Sequence, residues 1–175
     1  MSENESIVPD TRDWAEVLEQ GCVTCGFTGD EEVVNAPDEI RASVDRWAKV
    51  LARPDATRRP RPGRWSDVEY AAHVRDILTL FRRRQELLLT GENPELPNFD
   101  GDAVAVADDY GSQKPTEVLT GLRDAADDYA TALSDVHGDQ WERTGHRDDG
   151  RVFTITTLTR YGLHELRHHL QDVEG

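Results

Sequence analysis

The stretch that most constrains the fold runs from Trp65 to Gly91. Ser66 followed three residues later by Glu69 is a capping box. Each side chain can satisfy a backbone amide that the first helical turn leaves without a partner. Trp65 is an apolar anchor just ahead of it, and Gly91 is a stop signal. Between these signals Tyr70, His73, Val74, Ile77, Phe81 and Leu88 fall on one side at about 100° per residue. The spacing predicts a helix to about Thr90 with His73 facing inward. A histidine there is either a hydrogen-bonded core residue or a metal ligand.

Three further segments repeat the pattern. From about Pro37 to Ala52, with Asp38 as N-cap, Ile40, Val44, Trp47 and Leu51 form one buried stripe. Pro54, Pro60 and Pro62 prevent it from continuing. A third helix starts at Pro115, a favoured first helical position, and carries Val118, Leu122, Ala125, Tyr129, Leu133 and Val136. A fourth occupies roughly Thr154 to Val173. Residues 91–114 connect the second helix to the third and are too many for a tight antiparallel turn. They suit a crossover that lets both helices run in the same direction. Asp100, Asp102, Asp108 and Asp109 in this connection read as solvated or capping residues, with a pocket wall as the alternative. Trp141 to Val152 reads as irregular, with a tight turn at Asp149-Gly150. The expected fold is therefore all-α, a four-helix bundle with a long crossover between helices 2 and 3. Residues 1–36 form an N-terminal extension to a bundle at 37–175. In that extension, residues 1–10 read as a flexible leader. Trp14, Val17 and Leu18 make a short amphipathic turn or two.

Charge narrows the partners. A net charge of −15 argues against nucleic acid and against an anionic membrane surface. The basic run from Arg53 to Arg64 could still hold an anion, but Arg58, Arg59, Arg61 and Arg64 read rather as the decoration of a Pro-rich loop. Apolar runs fall far short of the roughly 18–20 residues that span a bilayer. MSENESIVPD has neither the basic segment nor the apolar core of a secretory signal. A soluble cytoplasmic protein with a small-molecule partner is expected.

The fourth helix has two faces. Ile155, Leu158, Gly162, Leu163, Leu166, Leu170 and Val173 gather on one side. His164 and His168 lie nearly opposite, one turn apart, where two imidazoles can converge on one cation. His169 falls toward the leucines and reads as a poor partner for that pair. The histidine side is either a solvated face or one turned to a cleft. In the second case the leucines bury against protein, for which a second subunit is one candidate.

Cys22-Val-Thr-Cys25-Gly-Phe is half a zinc knuckle. With only two cysteines, a closed all-cysteine site needs two chains, while His137, His146 or His169 could complete a mixed site within one. A thioredoxin-like redox pair needs a βαβ context that the pattern lacks. The expected role is a reduced pair that supports the N-terminal segment, with structural metal and redox chemistry as alternatives.

The pattern Trp65-Ser-Asp-Val-Glu-Tyr-Ala-Ala-His73 at the start of one helix, with His164-x-x-x-His168 on the last, resembles the DinB-like superfamily. These are damage-inducible four-helix metalloproteins, among them thiol-dependent S-transferases and the metal-binding domain of mycothiol-dependent maleylpyruvate isomerase. The likeness spans about residues 37–173. It implies that His73, His164 and His168 bind one divalent metal, zinc or nickel, and that the chain forms a homodimer. It also implies a transferase or isomerase that uses a mycothiol-type thiol as cosubstrate. Asp76, Glu165 and Gln171 are candidates to orient the rings. Two other functions remain open: a non-catalytic metal- or small-ligand-binding stress-response dimer, and a metal-dependent hydrolase. No serine or cysteine nucleophile sits in a recognisable motif, which counts against a covalent mechanism.

Overall fold

The capping box at Ser66 closes as its sequence requires. In the computed structural model, which describes Ile7 and residues 11–175, helix α3 spans Asp67–Thr90. The Ser66 amide donates to Glu69 Oε2 at 2.8 Å, and the Glu69 amide donates to Ser66 Oγ at 3.4 Å. The expected leader, residues 1–10, lies outside the described residues apart from Ile7.

The basic loop before α3 is more than decoration. Arg59 grips the Glu69 carboxylate through Nε and Nη2 at 2.5–3.2 Å. Arg64 donates to the Asp172 carbonyl, and Arg53 donates to the Val173 carbonyl at 2.7 Å. These carbonyls close the last helix, α6 (Ile155–Asp172), where the final turn has no intrahelical donors of its own. Guanidinium groups satisfy them and tie the loop to both helices. Arg58 and Arg61 stay exposed, as expected.

Three short elements precede the bundle: 3₁₀ turns at Trp14–Glu16 and Val33–Asn35 and, between them, helix α1 at Val17–Gln20. Helix α2 spans Ala36–Leu51 and buries Ile40, Val44, Trp47 and Leu51. Its N-cap is Asn35 rather than Asp38, which lies in the first turn, where a carboxylate still suits the helix dipole. Helix α5 (Pro115–Ser134) packs against both α2 and α3. Its direction follows from matched pairs. A Cβ on Gly121 would meet Arg75, Arg82 pairs with Asp128 at 3.6 Å, and Gln85 donates to the Ala132 carbonyl at 2.8 Å. Both numbers rise together, so α3 and α5 are parallel and their connection is the expected crossover. Helix α6 runs antiparallel to α3, with Tyr161 beside Phe81 and His169 beside His73.

The crossover has structure of its own. Asp100 caps helix α4 (Gly101–Ala107) by accepting from the Ala103 amide at 3.0 Å. Tyr110 is fully buried, and its hydroxyl donates to Asp76. The region expected to be irregular holds a small antiparallel hairpin, β1 (Thr144–His146) with β2 (Val152–Thr154). Its register places Gly145 opposite Phe153. A Cβ on Gly145 would lie 2.6 Å from Leu88 Cδ2, so the strand can approach α3 only without a side chain there. Three-residue strands are too short to leave a periodicity signal, which is why the pattern looked irregular. Gly150, at φ +83°, makes the expected turn.

The leucines of α6 are used inside the chain: Leu158, Leu163 and Leu166 are each 1% exposed in the monomer. The opposite side is covered as well, by residues 11–35, so neither of the two faces expected of this helix is free. The stripe that motivated a homodimer belongs to the bundle core. Ser66→Ala removes a buried cap and should lower stability by about 1–2 kcal/mol. A fall in the urea midpoint with an unchanged m-value checks this.

Candidate metal centres

The sequence His164-Glu-Leu-Arg-His168-His169 contains two i,i+4 pairs offset by one residue: His164 with His168, and Glu165 with His169. One residue is about 100° of helix rotation, so the two pairs face different neighbours. His164 and His168 turn toward the N-terminal segment, whereas Glu165 and His169 turn toward α3.

On the first side the chain reverses through Cys22–Phe27. The Cys22 amide donates to the Phe27 carbonyl at 2.8 Å, and the Gly26 amide donates to the Cys22 carbonyl at 2.9 Å, with Gly26 at φ +76°. Cys22 Sγ lies 3.5 Å from His168 Nδ1. One donor atom from each of Cys22, Cys25, His164 and His168 lies within 4.8 Å of all the others. Trp14 stacks on His164 and tilts over His168, at 5.6 and 4.7 Å between ring centroids, and Phe27 meets His164 edge-on at 5.3 Å. Burial pushes the Cys22 thiol up, but the amides of Cys25 and Thr24 and the two imidazoles outweigh it and bring the thiol down to about 6. Burial and the neighbouring Cys22 sulfur push Cys25 up to about 11, against the Phe27 amide.

On the second side, His73, Glu165 and His169 also bring one donor atom each to within 4.8 Å of one another. The rings of His73 and His169 meet nearly perpendicular at 4.8 Å. His169 lies between two carboxylates, with Nδ1 3.0 Å from Asp172 Oδ2 and Nε2 3.4 Å from Glu165 Oε2. Burial disfavours its cation, yet Asp172 and Glu165 prevail and lift it to about 9. His73 goes the other way, down to about 3, because it is buried and faces His169. Burial raises Glu165, but His164 and His169 hold it well below the usual carboxylate range.

The three histidines expected to act together are thus divided. His73 groups with Glu165 and His169, while His164 and His168 group with the cysteines. His137 and His146, candidates to complete the cysteine site, lie elsewhere, at the start of a 3₁₀ turn and in β1. Glu165, expected only to orient a ring, stands among the donor atoms, and Gln171 is exposed. Asp76 accepts from Arg75 Nε at 2.7 Å and from Tyr110. Reading His169 as a leucine-side residue missed that the core-facing arc of α6 includes the meeting point with His73. The signal was the second i,i+4 pair.

Both donor sets contribute to the wall of one cavity of about 750 Å³, the first through His164 and His168 and the second through His73, Glu165 and His169, with Trp14, Trp65, Tyr70, Phe99 and Tyr161 beside them. Asp100 and Asp102 also line it, so Asp100 is both a cap and a wall. Two ring nitrogens here, His73 Nδ1 and His164 Nε2, are buried with no hydrogen-bond partner among the described residues. Leaving such a group unpaired costs about 1–3 kcal/mol. A cation that takes up a ring lone pair removes that cost, so the residues fit a metal. Two imidazoles and a carboxylate leave coordination positions open, whereas two thiolates and two imidazoles close a tetrahedron.

The chain belongs to the DinB superfamily, whose family model matches residues 36–173. Among solved structures it is similar to YfiT from Bacillus subtilis, described as a probable metal-dependent hydrolase with an unusual four-helix bundle topology. The identity is 19%, over 97% of this chain and 91% of that one, with a TM-score of 0.69. No curated protein matches.

Gly101, at the start of α4, backs onto the second donor set. A Cβ there would stand 2.7 Å from His73 Cε1 and 3.1 Å from its Nδ1. Gly101→Ala should displace the ring or α4 at a cost of about 1–3 kcal/mol. Chemical denaturation measures the loss, and a shifted His73 Cε1–H resonance in metal-free protein shows which group moved.

Proposed function

We propose that this chain is a metal-dependent hydrolase of a small molecule, with a divalent ion, zinc or nickel, held by His73, Glu165 and His169. The observation that carries this reading is the convergence of these three donors, two of them on buried residues, at the wall of a 750 Å³ cavity. The description of YfiT, which shares the fold, supports it. Two histidines and a glutamate, with a position left for solvent, form a ligand set suited to hydrolysis.

When bound, such an ion would supply Lewis acidity for polarising a carbonyl or acidifying water. The chain does the rest. Asp172 accepts from His169 Nδ1, which presents Nε2 as the donor and fixes the ring. The α4 backbone at Gly101 sets the plane of His73. Trp65, Tyr70 and Phe99 give a substrate an aromatic wall and exclude water, which strengthens every charge interaction inside. Tyr70 also brings a hydroxyl donor to that wall.

Thiol transfer with a mycothiol-type cosubstrate is the second reading. It is favoured by the cavity volume, which accommodates a thiol beside a small substrate. Water as the only nucleophile with metal-loaded protein supports hydrolysis. Turnover that requires an added low-molecular-weight thiol supports transfer. Under either reading the chain works in the cytoplasm, where thiols stay reduced. Among the described residues no helix is long and apolar enough to cross a membrane.

The competing ligand set is the trio expected from sequence, His73 with His164 and His168. His73→Ala, Glu165→Gln and His169→Ala should each remove one bound ion, measured by elemental analysis, and abolish turnover. If His164→Ala removes that same ion while His169→Ala retains it, the trio holds it instead. The family resemblance also implies a homodimer, whose interface would lie away from the α6 leucines because these are buried in the bundle core. Sedimentation at micromolar concentration should show a dimer, and a monomer removes the claim.

A further inference from the structure

We propose that Cys22, Cys25, His164 and His168 form a second metal site, a closed structural centre of the zinc type that fastens the N-terminal segment to α6. Cys-x-x-Cys and His-x-x-x-His are ligand spacings that place each pair on one ion. Sulfur and nitrogen ligands of tetrahedral zinc lie about 3.3–3.8 Å from one another, given the metal–ligand lengths. The four donors here already lie within 4.8 Å of one another. Side-chain rotations of about 1 Å complete the geometry.

Two independent features point to an ion. The Cys22–Phe27 loop directs the amides of Thr24 and Cys25 at Cys22 Sγ and that of Phe27 at Cys25 Sγ, the arrangement that stabilises thiolate ligands. His164 is 1% exposed, and its Nε2 has no partner among the described residues. Its Nδ1 lies 3.3 Å from Glu165 Oε1, so a proton held there leaves Nε2 as the donor atom. A redox role for the cysteines would leave this imidazole pair unexplained. Two thiolates and two neutral imidazoles around a divalent ion also sum to zero charge, which suits a buried position.

Four protein ligands leave no position for substrate, and Trp14 and Phe27 cover the rings, so the centre is structural. It has a structural task. Residues 11–35 hold only a four-residue α-helix and two 3₁₀ turns, too little to persist alone. This segment supplies Asp13 and Trp14 to the wall of the cavity. The metal link thus helps build the pocket that the first centre faces.

The test uses the full chain loaded with cobalt(II). Two ions per chain are expected, with a thiolate-to-cobalt charge-transfer absorption. Cys22→Ser/Cys25→Ser should lose one ion and that band while keeping the other ion. His169→Ala should lose one ion and keep the band. In the zinc-loaded protein, residues 11–35 should resist limited proteolysis, and the double variant should lose this resistance with its helical circular dichroism intact. If the double variant does not fold, His168→Ala replaces it, with loss of the band expected. A wild-type protein without the band, or a double variant that keeps both ions, overturns the proposal. A single ion with the band upholds this centre and removes the hydrolase site, and a single ion without the band does the reverse.

Discussion

Glu165 is a charged carboxylate in the middle of the protein, 8% exposed, with His164 3.3 Å from one oxygen and His169 3.4 Å from the other. Burying such a charge alone costs several kcal/mol, so its position is tolerable only with hydrogen-bonding or cationic partners. The surroundings of α6 meet that need. Asp172 fixes the far side of His169, α3 brings His73 across, and the N-terminal segment closes over His164. Replacing Glu165 by an apolar residue would remove one donor atom from the His73–Glu165–His169 group and the partner of His164 Nδ1.

Because both faces of α6 are covered, the helix depends on contacts far away in sequence. Arg167 reaches Glu39 at 2.5 Å and Glu31 at 2.7 Å, and Arg147 holds Asp13 through two bonds of 3.1 Å. Arg160 donates to the Glu31 carbonyl at 3.0 Å. In a chain of net charge −15, these arginines draw an acidic N-terminal segment back onto the bundle. Exposed ion pairs contribute little individually, but half-buried pairs joined to backbone carbonyls fix position as well as energy. That position sets where Trp14 and Cys22 stand relative to the histidines.

The bundle was legible because its signals are local. The capping box at Ser66, Pro115 at a helix start and apolar residues at helical spacing each act within a few turns, and the connection length alone implied parallel α3 and α5. The hairpin at Thr144–Thr154 was not legible, since three-residue strands leave no periodic record and Gly145 is explained only by Leu88 lying against it. The role of Arg53, Arg59 and Arg64 was likewise hidden, because their acceptors on Glu69, Asp172 and Val173 are chosen by how the loop folds back.

The sequence by itself determined which residues could carry metal chemistry: His73 on an inward helical face, two histidines one turn apart on the last helix, and a Cys-x-x-Cys pair ahead of the bundle. Only the tertiary structure decided how they are grouped. A helix presents neighbouring residues about 100° apart, so His164 and Glu165 look in different directions whatever surrounds them. Which direction meets α3 and which meets the N-terminal segment depends on how α6 is rotated in the bundle. Long-range packing of its leucines sets that rotation, and no local pattern encodes it.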